Sequence, residues 1–117
     1  MDDSILESIK LSIGYEADYT PFDIELIIHI NSALCKLNQL GVGINGFSVT
    51  GNSETWSDFV RPEQKGFSLA DIKEYVYLNV RLIHDPPANS FIVSKFNDEI
   101  KELEWRINVE VETPNEK

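Results

Sequence analysis

One cysteine in 117 residues, Cys35, excludes an internal disulfide, and no second soft ligand stands near it in the sequence to begin a zinc site. The thiol reads as a small buried apolar side chain. Long apolar runs are also missing: nothing approaches the roughly 20 residues that span a bilayer. The N-terminus opens with Asp2 and Asp3, where a secretory leader carries basic residues. The expectation is a protein that stays in the cytoplasm of the cell that makes it, with no membrane partner. Basic residues are scarce, ten Lys and Arg against twenty Asp and Glu, for a net charge of -10. Duplex nucleic acid is held by neutralising its phosphates, and no basic stripe is present to do so, which argues against direct DNA binding.

Catalytic patterns are lacking too. Gly41, Gly43, Gly46 and Gly51 form neither a GxGxxG turn between strand and helix nor a phosphate loop ending in Lys-Ser/Thr. The two histidines, His29 and His84, have no ligand or triad partner at a defined offset, and His84 near a helix C-terminus is explained by its interaction with the dipole. Neighbouring carboxylates such as Asp98 with Glu99, or Glu102 with Glu104, read as the solvated face of an acidic helix. No enzyme class emerges, and no catalytic, cofactor or metal residue is assigned.

What remains is a chain that is 42% hydrophobic, enough to fill one core of this size. Residues 1–110 are expected to form one helical domain and 111–117 a flexible acidic tail. The fold class expected is mostly α: a small bundle of about four helices, with a long loop or short β-hairpin between the second and third. Ser4-Ile5-Leu6-Glu7 is a capping box opening a helix with Ile5, Ile9 and Ile13 on one side and Gly14 as its stop. Thr20-Pro21-Phe22-Asp23 signals a second start, with Thr20 as the capping hydroxyl and Gly41 as terminator after Leu40. Ile24, Ile27, Ile28, Ile30, Leu34 and Leu37 spread widely around that helix, which reads as the central one. Asn45-Gly46 flanked by Val42, Ile44, Phe47 and Val49 fits a tight hairpin or an ordered loop. Ser53 to Val60 fits one or two helical turns burying Trp56 and Phe59, before the polar break Arg61 to Gly66.

Ser68 caps the next helix, which Asp85-Pro86-Pro87 ends. Leu69, Ile72, Val76, Val80 and Ile83 fall on one face of it, and Tyr75, Leu78 and Leu82 on the other. Asn89 or Ser90 caps a last helix with a main stripe of Ile92, Phe96, Ile100, Leu103 and Ile107. Phe91, Trp105 and Val109 lie opposite. Helices with two apolar faces are hard to satisfy within a small domain, so Tyr75, Leu78, Leu82, Phe91, Trp105 and Val109 form the candidate subunit interface. The alternative for Trp105 is that it folds back onto its own domain.

Three segments together carry a family resemblance. They are Asn31-Ser32-Ala33-Leu34 through Leu37-Asn38-Gln39-Leu40-Gly41-Val42-Gly43, then Glu54-Thr55-Trp56-Ser57-Asp58-Phe59, then Tyr75 to Ile83 with Asp85-Pro86-Pro87 and Glu102 to Val109. In order and spacing this resembles the head-tail connector (adaptor) proteins of tailed bacteriophages and prophages. The resemblance implies a virion protein of the neck, made in the host cytoplasm, whose copies join into a ring under the portal protein. That ring extends the DNA channel towards a downstream head-closure or tail protein, without gripping the DNA specifically. It implies no catalytic residue and no cofactor.

The charge distribution is compatible with a channel component. Residues 1–25 carry seven acids and Lys10 alone, residues 26–97 carry six of each sign, and residues 98–117 carry seven acids and three bases. Acidic ends repel phosphates if they line a lumen, and aid solubility if they face outward. A different class of protein fits the net charge as well: a small acidic DNA mimic that occupies the basic cleft of a nucleic-acid-binding protein. Such a mimic works as a monomer or dimer and accounts less well for helices with two apolar faces.

Overall fold

The computed structural model describes residues 4–60 and 68–112, the side chains of 110–112 excepted, so the polar break from Arg61 to Gly66 and the end of the acidic tail lie outside the described residues. Five helices follow one another: α1 (Ile5–Ile13), α2 (Asp23–Gln39), α3 (Trp56–Phe59), α4 (Leu69–His84) and α5 (Ser90–Glu112). Among the described residues the only β pairing is an isolated bridge between Ser4 and Thr55.

The first helix begins and ends where its sequence signals it. Ser4 Oγ accepts the Glu7 amide at 3.2 Å, and Gly14 takes the left-handed conformation at φ 115°. That turn lets the amides of Gly14 and Tyr15 both close on the Lys10 carbonyl. The second start comes later than Thr20. Thr20 instead accepts the Asp23 amide through its carbonyl, and the N-cap is Phe22, with no side-chain cap. Asp23, in the first turn, pairs at 2.9 Å with the ammonium of Lys10. Lys10 is only 1% exposed, and its Nζ also donates to the Ala17 carbonyl at 2.8 Å. The buried cation thereby holds the α1–α2 connection against both helices.

The central helix is α4, not α2. It packs against α1, α2 and α5, and Ile72, Tyr75, Val76, Leu78, Asn79 and Val80 are all buried. With three neighbours packed on it, the middle of both faces read from its sequence meets core, while Leu69 and Ile83 at its two ends stay exposed. Asn79, the polar residue among them, donates to the Tyr75 carbonyl at 2.8 Å and accepts from Lys36 at 3.1 Å, which makes its burial tolerable. α2 buries Leu26, Ile30, Ala33, Leu34 and Leu37 and leaves Ile24 and Ile28 in solvent, 78% and 61% exposed. Cys35 lies on that same exposed side, contrary to the expectation of a buried thiol.

Residues 42–52 form no strand pair; they are a loop pinned by side chains. Asn31 of α2 acts as a backbone mimic, donating to the Val49 carbonyl at 3.0 Å and accepting the Val49 amide at 2.7 Å. Asn38 donates to the Val42 carbonyl at 2.8 Å. Glu54 closes the next turn on the amides of Thr50 and Gly51. At Gly43, φ is 82° and an added Cβ would overlap the Phe59 ring, so the loop approaches α3 as closely as only glycine permits. Trp56 and Phe59 are buried as their spacing suggests, and the Trp56 indole donates to Ser8 Oγ at 3.0 Å.

Candidate assembly surface

The six residues read as an interface separate into two groups. Tyr75 and Leu78 are inside the subunit. Tyr75 donates its phenol proton to Glu104 of α5 at 2.7 Å. Desolvation first, and the Glu104 carboxylate second, hold its pKa well above the ordinary phenol value. Leu82 is half-buried against the core. These three belong to the fold because α5 covers the side of α4 on which they stand. Tyr75 and Leu78, expected at a subunit interface, thus offer no surface to a neighbouring copy.

Phe91, Trp105 and Val109 point away from the body. Phe91 and Trp105 are each 68% exposed, and Val109 is also exposed. Trp105 does not fold back. The core-facing residues Ile100, Leu103 and Ile107 occupy the other side of the helix, as about 100° per residue requires. Lys95 sits 5.5 Å from the Phe91 ring centroid, a contact that leaves most of that ring in water. Arg106 braces the helix nearby, donating to Asp71 of α4 at 3.0 Å and to Glu102 at 2.9 Å. The bracing fixes the direction in which the adjacent Trp105 projects. Beyond Val109 the helix continues through Glu112, two residues into the segment expected to be tail.

The second exposed apolar surface, on α2, was missed in the sequence because its isoleucines were assigned to a fully buried helix. Ile24, Ile28 and Cys35 recur at spacings of four and seven, the signature of a single stripe. The pattern was visible; its orientation depended on which helix is central.

A polar cluster at the joint of α1, α2 and α4 was likewise beyond sequence reading. His84 Nδ1 lies 2.9 Å from Glu25 and its Nε2 lies 2.9 Å from the Tyr15 hydroxyl. A neutral imidazole donating to the carboxylate and accepting from the phenol satisfies both contacts. The hydrogen bond from His84 is the main cause of a lowered Glu25 pKa. Phe22 and Tyr15 rings lie 5.1 and 5.7 Å from the imidazole, making this a clasp between chain segments 59 and 69 residues apart. Among the described residues no group of three or more His, Cys, Asp or Glu is placed to hold a metal ion, and no helix is long and apolar enough to cross a membrane.

The sequence model of a family described as phage connector protein matches residues 5–114. No curated protein and no solved structure matches the chain.

Proposed function

The chain belongs to the phage connector protein family, a family of structural phage proteins, and on that premise we propose that it is a head-tail connector subunit. Copies of it assemble under the portal protein into a ring that extends the DNA channel and receives a downstream head-closure or tail protein. The observation that carries this reading is the family match, which spans all five helices. The exposed Phe91 and Trp105 support it, because exposed aromatics on a rigid, braced helix are the side chains most often found as anchors at protein interfaces. The net charge of -10 suits a conduit through which DNA passes without being gripped.

The ring is built from identical subunits, and its closure needs two complementary patches per subunit. Assembly on the portal is the step to test, since a small adaptor can stay monomeric until it meets that template. Portal purified from the same phage, mixed with the protein and sedimented, should carry the protein with it, and electron microscopy should reveal an added ring on one end of the portal. A protein that stays in the supernatant and instead blocks DNA binding by a nuclease or repressor is a DNA mimic, and the connector reading fails.

A further inference from the structure

We propose that the turn joining α1 to α2 carries a receptor for an arginine side chain of another protein, a site that does not depend on the connector reading. Gly14, Tyr15, Glu16, Asp18 and Tyr19 line an open pocket of about 390 Å³ there, within the roughly 300 to 1,000 Å³ usual for ligand sites. Its walls are aromatic. The Tyr15 and Tyr19 ring centroids are 5.2 Å apart, and the Phe22 ring stands 5.6 Å from the first and 6.1 Å from the second. The cluster is anchored to α4, since the Tyr15 hydroxyl lies 2.9 Å from His84 Nε2. Tyr19, by contrast, is 43% exposed and offers its ring to whatever enters.

Charge selects the occupant. Glu16 and Asp18 are exposed, and neither carboxylate has a hydrogen-bond or ion-pair partner among the described residues. The nearby bases do not neutralise them. Lys10 is 1% exposed and turned to Asp23 and the Ala17 carbonyl, and Arg81 is committed to Asp85 and the Tyr77 hydroxyl. An anion is therefore repelled, and a neutral apolar side chain would desolvate the carboxylates without pairing them. A guanidinium meets both features at once, its donor fork matching a carboxylate while its plane stacks on a ring. A lysine ammonium is a more strongly hydrated point charge and gains less from the rings. A second copy is a poor source of the arginine. Arg81 is engaged as described and Arg106 is bonded to Asp71 and Glu102, so either would first have to leave partners in its own subunit.

Isotope-labelled protein followed by amide NMR and titrated with acetyl-Gly-Arg-Gly-Arg-Gly-amide should show shifts centred on the amides from Gly14 to Tyr19. The same peptide with citrulline in place of arginine should shift nothing, and its lysine counterpart should bind about twofold or more weakly. Tyr19→Leu removes a ring at an exposed position and keeps the net charge; it should weaken arginine binding about threefold or more, with the thermal melt unchanged. Tyr19→Phe, which keeps the ring, should bind as the wild type does. Glu16→Gln combined with Asp18→Asn should weaken binding at least as much as Tyr19→Leu. Equal affinity for the arginine and lysine peptides, together with indifference to Tyr19→Leu, would mean a diffuse acidic surface and overturns the pocket. Shifts at these amides that grow with protein concentration in the absence of peptide would put a second copy there and overturn the choice of occupant. No shift with the arginine peptide removes the site. A protein that ignores the peptide yet forms a ring on the portal loses the pocket and keeps the connector reading; one that binds the peptide in the pocket but never joins the portal does the reverse.

Discussion

Trp105 and Tyr75 look alike in the sequence, each an aromatic on the second face of an apolar helix, and the fold sends them in opposite directions. Helical spacing alone put Trp105 on the far side of the Ile100, Leu103 and Ile107 stripe, and it stands there in solvent. Tyr75 was not legible in the same way, because burying it depends on α5 covering the far side of α4. Trp105→Ala should therefore leave the melting temperature of the subunit nearly unchanged and weaken ring assembly by about 2 kcal/mol or more, measured by parallel thermal melts and portal-binding titrations. A large drop in subunit stability with assembly intact would assign Trp105 to the core instead. For Tyr75→Phe the expectation is reversed: a loss of about 1 kcal/mol in urea unfolding at neutral pH, from the hydrogen bond to Glu104. The phenol ionises near 10.0 when unfolded and at a higher pH when folded, so its contribution is complete below about pH 10 and fades as pH rises past that value. The stability gap between wild type and Tyr75→Phe should accordingly narrow in alkaline solution, and a gap that widens would contradict the buried neutral phenol.

Among the elements, local signals proved most informative where the stabilising contact is local. The Ser4 cap, the Gly14 stop, the buried turn of Trp56 and Phe59, and the end of α4 before Pro86 could all be placed from neighbouring residues. The start of α2 could not, since Asp23 is engaged by Lys10 thirteen residues earlier. The choice of central helix failed for a related reason. The width of an apolar arc does not reveal how many neighbours cover it, and α2 keeps its extra isoleucines for the surface. The loop after α2 owes its shape to Asn31, whose two bonds to Val49 replace the strand pairing that Asn45-Gly46 suggested. Asn31→Ala leaves the Val49 amide and carbonyl without these partners and should cost about 1 to 3 kcal/mol. Hydrogen exchange at the Val49 amide should accelerate in step with the loss. Unchanged protection there would mean that the loop is held by other contacts.

At the scale of the whole molecule, twenty acids against ten bases set the terms on which copies approach one another. Repulsion between like-charged subunits is screened by salt, with a Debye length of about 10 Å at 0.1 M. Self-association limited by that repulsion should therefore strengthen as salt is raised from about 0.05 to 0.3 M, and sedimentation at several salt concentrations would measure it. Weakening with salt would point to contacts made by ion pairs instead. The assignment to the neck of the virion stands or falls on where the protein sits in an assembled particle. Cryo-electron microscopy of the neck measures this directly. The result expected is a ring of this chain immediately below the portal, enclosing the DNA channel, with Trp105 at the seam between neighbouring copies; a neck whose density below the portal is accounted for by other proteins, with this chain absent, would contradict it.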